Sequence, residues 1–514
     1  MNLRTTFLAL SSASLFAGCN PDATVAPTKT VKAPSFAISE SPRGGRYIVL
    51  TSRPGAIKDL SARVASLGGK VDSYHEGAGL AVVSGISAAA AAQLGASGLG
   101  SVQADFQIGL DAQLQSGTPE ALEVASDATQ SQTNPALASR YAFQWNMRLI
   151  HAQDAWAAGK LGSSNVRVAI IDTGLDYDAP DLNGLVDLQS DTSFMNHFVG
   201  VEDDTTTVED EYTPIIPSDD TLNTLLGRNV INDLNGHGTN VANQISSKGV
   251  ALAGVTSRTT IFGVKVLGAN GYGSVSDILN GVLWAADHNA DVANMSLGGG
   301  FSKAGNGQAL SIINRVFNYA RKKRMLIVVA AGNSSVDLQH IGNGYATYCD
   351  APHVICVSSV GPRTGADLGT SHEDEPSFFS NFGRSSVDVA APGGNAANGF
   401  PFSVWPWTGT AFGPNDVASW VWGDCAKQKL VIKKNADGVH GDLFFTACSL
   451  GNRIFPYIGT SQASPHVAGL AALLIAEKGK GNPEAIKSMI QRSGDNIDPS
   501  LGRSRINVAR TLGL

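Results

Sequence analysis

Three short segments carry side chains that together could cut a bond by nucleophilic attack: a carboxylate in VAIIDTG, an imidazole in NGHGTNVAN and a hydroxyl in GTSQASPHVAGLAALLIAEK. Asp172 closes an apolar run just ahead of a glycine, so it is expected at the carboxyl end of a buried strand, where open α/β sheets hold their ligands. Alone, the DTG triplet would suit an aspartic protease. That chemistry shares a proton between two carboxylates, and the chain has no second DTG or DSG. His237 lies between glycines and ahead of a helical stretch, which places its ring on a first helical turn. A lone histidine is usually structural, so the weight falls on the third segment. Ser461 precedes Pro465 and an apolar helix, and proline is tolerated in a first turn. A serine there sits in the positive field of the helix terminus, beside free backbone N–H groups. An esterase of the α/β-hydrolase type would need a GxSxG elbow and the order Ser, acid, His; this chain has GTSQA and the order Asp, His, Ser.

These segments need a scaffold, and the pattern of apolar residues supplies one. VRVAIID, TTIFGVKVL, ADVANMSL, RMLIVVAA and HVICVSSV read as strands buried on both faces, separated by helical patterns such as Ser274 to Asn289 and Gln308 to Lys323. A parallel sheet wrapped by helices follows. Upstream, RYIVLT, Ala56 to Leu67, KVDSYH, GLAVVS, Ser87 to Leu94 and SVQADFQI give the order βαββαβ, a small unit near the lower size limit for independent folding. Residues 20–43 and 112–139 are rich in Pro, Ser, Thr, Ala and Gln and read as a spacer and a linker. Two insertions interrupt the large sheet pattern, near 191–232 and 394–457. The first carries eight acidic residues and no Lys or Arg between Val201 and Asp220; the second holds four of the seven tryptophans.

The 514-residue chain is long enough for two or three folded units. Its net charge of -7 offers no field for polyphosphate, so nucleic acid is not an expected partner. The first 19 residues have the form of an export signal: Arg4, a mostly apolar or small stretch from Thr5 to Ala17, then Gly18 and Cys19. LFAGC resembles a bacterial lipobox, with Phe16 where leucine is favoured, so lipidation of Cys19 is expected alongside ordinary secretion as the alternative. Setting Cys19 aside leaves Cys349, Cys356, Cys425 and Cys448. Neighbourhood in the chain suggests Cys349 with Cys356 and Cys425 with Cys448, although four cysteines allow three pairings. No Cys/His spacing suggests zinc.

Taken in order, VAIIDTG, NGHGT, NMSLGG, AAGN, SNFGRSSVDVAAPG and GTSQASPHVAG resemble the subtilisin-like serine proteases over about Trp145 to Val508. The resemblance implies a doubly wound, mostly parallel α/β sheet and assigns roles. Ser461 would be the nucleophile, His237 the general base and then acid, and Asp172 the residue that orients the ring. Asn333 matches the family's oxyanion-hole asparagine. Ser296, Leu297 and Gly298 match its substrate-binding strand, and with Ala331 and Gly332 would wall the primary pocket. His466 matches a structural histidine. The βαββαβ unit, 44–111, resembles the family's inhibitory pro-domain, with a cut expected in the linker before the catalytic domain, 140–514. No cofactor is required for such chemistry. Asp181 aligns with a calcium-binding aspartate of many relatives, but the loop bearing the other ligands is shortened between Val241 and Gly254, so calcium is possible without an assignable site. Asn240, Asn243 and Gln462 depart from the usual histidine, glycine and methionine. Protein or peptide substrates, the pro-domain as inhibitor, contact with a membrane only through a lipid anchor, and an extracytoplasmic location complete the expectation.

Overall fold

The small N-terminal unit is a four-stranded sheet with two helices in a computed structural model that describes residues 45–53, 55–110, 122–123, 133–196, 218–346, 348–396, 417–434, 441–445, 448 and 451–514. Strands Tyr47–Thr51 (β1), Lys70–His75 (β2), Leu80–Ser84 (β3) and Gly100–Ala104 (β4) form an antiparallel sheet in the order β2-β3-β1-β4. On one face Tyr47, Val49, Ala81 and Val83 pack against Leu60 and Val64 of helix α1 (Ile57–Ser66) and Leu94 of α2 (Ala88–Ala96). On the other, Ile48 and Leu80 join the core of the larger unit. Both faces of the sheet are therefore covered, which is why Leu80 to Val83 are apolar in a continuous run rather than alternating.

The larger unit is built on a seven-stranded parallel sheet. Its strands are Arg167–Asp172 (β7), Thr192–Ser193 (β8), Thr260–Lys265 (β9), Val292–Met295 (β11), Leu326–Ala330 (β13), Val354–Val360 (β15) and Val389–Pro392 (β16). Their order is β16-β15-β13-β11-β7-β9-β8, and outside this sheet Gly300–Ser302 (β12) pairs antiparallel with Gly344–Ala346 (β14). Following the short helices Trp145–Leu149 (α3) and Ala152–Ala157 (α4) come Asp219–Leu225 (α5), His237–Ile245 (α6), Val275–Asp287 (α7), Gly307–Lys322 (α8) and Thr460–Lys478 (α9). Helices α7 and α8 cover one face of the sheet, and α6 and α9 the other. Helix α9 is buried almost all round, each fully buried Leu contributing about 1.5–3 kcal/mol. The order reverses at β7, which has β11 on one side and β9 on the other. A crevice is expected outside the carboxyl end of such a strand, and Asp172 stands there.

SVQADFQI is not one strand. It breaks after β4, and Gln107–Gly109 (β5) pairs antiparallel with Tyr272–Ser274 (β10) of the larger unit. The break occurs because Asp105 is needed at the N-terminus of α7. Its carboxylate accepts the Ser276 N–H (3.0 Å) and hydroxyl (2.6 Å), satisfying donors that a first helical turn leaves unpaired. Burial, with Asp277 nearby, pushes the Asp105 carboxyl up to about 6, while Arg46 opposes the rise. Arg46 pairs with both Asp105 (3.1 Å) and Asp277 (2.9 Å). Farther along the same face, His75 meets Asp287 (2.7 Å) and Asn280 donates to Ser73 (3.3 Å), so the small sheet lies on α7 and α8.

The second insertion contributes strands Val421–Asp424 (β17) and Arg453–Tyr457 (β20), with a hairpin of Leu430–Lys434 (β18) and Gly441–Phe445 (β19) between them. Two residues of the linker, Leu122–Glu123 (β6), add to the free edge of β20. Cys349–Cys356 and Cys425–Cys448 are both bonded. The second closes a 23-residue separation around the hairpin, and replacing both of its cysteines by serine is expected to lower stability by about 3 kcal/mol in chemical denaturation. Non-reducing peptide mapping should recover the same two pairs; four free thiols would contradict them. The signal, Cys19, the spacer, residues 201–217 of the acidic segment and residues 397–416 of the tryptophan-containing insertion lie outside the described residues. Among the described residues, no helix is long and apolar enough to cross a membrane.

Candidate active site

At the end of β7, the buried Asp172 carboxylate accepts the Thr173 N–H (2.7 Å) and meets His237 Nδ1 at 2.8 Å, all through Oδ1. His237 is the first residue of α6, and its flanking glycines have steric reasons. Gly236 turns the chain at φ +96°, in the left-handed region. A Cβ on Gly238 would stand 2.3 Å from the Gly174 carbonyl, so only glycine lets α6 approach the strand end closely enough for the ring to reach Asp172. Tyr457 packs edge-on to the ring.

Asp233 organises this loop and was not singled out from the sequence. It accepts the N–H groups of Asn235, Gly236 and Thr239 and the hydroxyls of Thr173 and Thr239. Lys265, also missed, is fully buried and donates to the carbonyls of Thr173 (2.8 Å) and Asn232 (3.1 Å), with Asp219 as counter-ion at 2.8 Å. The signal available was a lysine inside the apolar run TTIFGVKVL, since a lysine is seldom buried unless paired.

Ser461 is the second residue of α9. Its hydroxyl donates to the Ser296 carbonyl (3.1 Å), and this, rather than a bond to His237, is its hydrogen bond among the described residues. The Ser296 hydroxyl in turn donates to the Ser461 carbonyl at 2.7 Å. Catalytic hydrogen bonds often tighten only when substrate is present. Asn333 follows β13 and Gly332, whose φ of +95° turns the chain. Its Oδ1 accepts both the N–H (2.8 Å) and the hydroxyl (2.9 Å) of Thr460. Thr460 thereby fixes which end of the Asn333 amide is which, leaving Nδ2 and the first-turn N–H of Ser461 as donors for a ligand oxygen.

Ser296, Leu297 and Gly298 lie just past β11 and belong to no strand among the described residues. Leu297 is buried in the same cluster as Ile108 and Leu110, and Ile108 lies where a side chain on Gly299 would be. The Leu110 N–H donates to the Gly271 carbonyl (2.8 Å), continuing the β5–β10 pairing toward the loop of Asn235, which donates to Ala269. Both backbone polar groups of Ala331 are used within the fold, by Val357 and Asn381.

The departures at Asn240 and Gln462 have a physical partner. Asn240 donates to the Phe455 carbonyl of β20 (3.0 Å) and accepts from Gln462 (3.4 Å), while Gln244 donates to the Trp422 carbonyl of β17 (2.8 Å). Nothing in the structure explains Asn243. His466 is structural: Nδ1 bonds the Gln462 carbonyl, Nε2 meets Asn146, and burial brings its pKa down to about 4. The Asp181 carboxylate does not fit calcium, because its oxygens accept the N–H groups of Val250, Ala251 and Leu252. Donors pointing at the carboxylate occupy the space that a cation and its oxygen ligands would need.

The model of the subtilase family, Peptidase_S8, matches residues 163–507. The thermophilic serine proteinase of Bacillus sp. (strain AK1) is 30% identical over 358 residues, 69% of this chain and 62% of its own. Thus the chain spans less than two thirds of that relative. Thermitase of Thermoactinomyces vulgaris is 28% identical over 71% of this chain and 91% of its own. The epidermin leader peptide processing serine protease of Staphylococcus aureus shares the fold with a TM-score of 0.61, at 21% identity over 91% of this chain and 98% of its own. With six motifs in order, the Asp172–His237 pair and the family match, the chain belongs to the subtilase family and is a serine peptidase.

Proposed function

We propose that the protein is an exported endopeptidase that cuts peptide bonds through an acyl-enzyme and is made as a precursor that processes itself. The observation that carries this reading is the convergence, at one sheet end, of the Asp172-held imidazole, the Ser461 hydroxyl and the Asn333 amide oriented by Thr460. Ser461 Oγ attacks the substrate carbonyl carbon as His237 Nε2 takes its proton. Asn333 Nδ2 and the Ser461 N–H hold the oxygen as it gains negative charge. Collapse breaks the C–N bond, and His237 returns the proton to the leaving amine. Water, activated by the same imidazole, then releases the acyl group.

Asn333→Ala is expected to lower kcat by roughly a hundred- to a thousandfold with KM little changed, because the lost donor acts on charge absent from the ground state. Steady-state kinetics on a peptide substrate give the answer. A serine-directed phosphonylating probe should label Ser461, and a wild-type protein that neither reacts nor cleaves peptides would sink the reading.

The small unit, 44–111, is proposed as the inhibitor. In support, β5 and Leu110 occupy the β10 edge and run toward the catalytic loop, as a substrate chain would. The first bond cut then falls within 111–139, and the new end remains as a product until the unit is degraded. Export and lipidation of Cys19 complete the proposal; mass spectrometry of the mature N-terminus before self-processing tests the anchor. The substrates are proteins or peptides.

A further inference from the structure

Lys265 is a charged side chain that the mechanism does not use, yet it is fully buried on β9, where Asp172 of β7 is its partner in the sheet register. An ammonium has three N–H donors and no acceptor, and burying it without partners is costly. Here each donor has one acceptor: the Thr173 carbonyl (2.8 Å), the Asn232 carbonyl (3.1 Å) and the Asp219 carboxylate (2.8 Å).

The two carbonyls belong to different loops. Thr173 follows Asp172, and its other polar groups are engaged at the site. Its N–H donates to Asp172 Oδ1, the same oxygen that meets the His237 ring, and its hydroxyl donates to Asp233 and accepts the Gly238 N–H (2.9 Å). Asn232 precedes Asp233, whose carboxylate gathers the N–H groups at the start of α6. Lys265 therefore ties the loop that carries Asp172 to the loop that carries His237. Its counter-ion comes from the first insertion. Asp219 opens α5 and also accepts the Ala269 N–H (3.2 Å); the Ala269 carbonyl accepts from Asn235, and Asn235 Oδ1 accepts the His237 N–H (3.2 Å).

We propose that Lys265 is a positioning residue for the reaction: its ammonium clamps the Thr173 and Asn232 carbonyls together and so sets the Asp172–His237 contact, while Asp219 neutralises its charge. This rests on the reading of Asp172 and His237 as the pair that activates Ser461. Stability and turnover then depend on different bonds. Stability depends on the ion pair, because removing either partner leaves the other buried and uncompensated. Turnover depends on the two bonds to carbonyls, which Asp219 does not make.

The test compares Lys265→Met, Asp219→Asn and the double variant as processed enzymes, with kcat counted per Ser461 labelled to completion by a phosphonylating probe. Both single variants should unfold at a lower temperature than wild type, and the double variant, which buries no unpaired charge, should recover part of the loss. The order of kcat should differ: Lys265→Met and the double variant fall about ten- to a hundredfold with KM within about twofold, whereas Asp219→Asn stays within about threefold of wild type. A lysine that served the fold alone would instead make kcat track the unfolding temperature. That result, or a folded Lys265→Met or double variant within about threefold of wild-type kcat, would overturn the inference. If Lys265→Met does not fold, the double variant carries the test. A slow Asp172→Asn beside a fast Lys265→Met overturns the inference alone; an Asp172→Asn near the wild-type rate removes the reading beneath it and the inference as well.

Discussion

Ser461→Ala is expected to accumulate as one uncut chain, with peptide hydrolysis lowered about a millionfold, the scale measured for loss of the nucleophile in subtilisin itself. The argument is local. Among the described residues the side chain makes one hydrogen bond, to the Ser296 carbonyl, whereas the bonds that seat the turn involve the Ser461 backbone carbonyl and Thr460. Alanine keeps those and suits a helix, so the fold survives while the attacking oxygen is gone. Donors for the oxyanion remain, and they leave a small residual rate above water. Intact mass and gel analysis report processing, and a peptide assay reports turnover. A processed product from purified Ser461→Ala chain, or peptide cleavage near the wild-type rate, would remove Ser461 from the mechanism.

Asp172→Asn is expected to cost about ten-thousandfold in kcat, the scale known for the matching change in another serine protease. One oxygen, Oδ1, serves both the Thr173 N–H and the His237 ring, while Oδ2 is buried without a hydrogen-bond partner among the described residues. An amide has two ways to fill this site. With its oxygen toward the two donors it buries an NH2 group where no acceptor stands; turned over, it faces two N–H donors with a third. Either way the negative charge opposite the forming imidazolium is lost. Thermal unfolding should change little beside the kinetic loss, and KM should move by a small factor. A variant within tenfold of wild-type kcat would show that His237 does not depend on Asp172.

Much of this was legible because local chemistry and tertiary position coincide at the site. The apolar run ending in Asp172, the glycines around His237 and the proline after Ser461 each mark a chain position that few folds can satisfy. The parallel sheet was equally plain from apolar runs of strand length. Less legible was the division of SVQADFQI between two sheets, because β4 and β5 have the same strand-like composition and the partner of Asp105 lies 171 residues away. Asp233 and Lys265 escaped notice for the same reason: their value lies in backbone groups that only the folded loop brings within reach. The Asp181 environment depended on which way the peptide groups of 250–252 point, which side-chain identities do not reveal.

Asn240 and Gln462 were read from the sequence as deviations within otherwise familiar motifs. In the fold Asn240 is the amide that reaches β20, Gln462 donates to Asn240, and Gly423 is the residue whose missing side chain gives Asn240 its room. Motif and insertion are therefore physically coupled through these side chains. Grafting the usual histidine and methionine into this chain would remove both members of the Asn240–Gln462 contact, and transplanting the insertion into a relative without Asn240 would leave the Phe455 carbonyl of β20 without its donor.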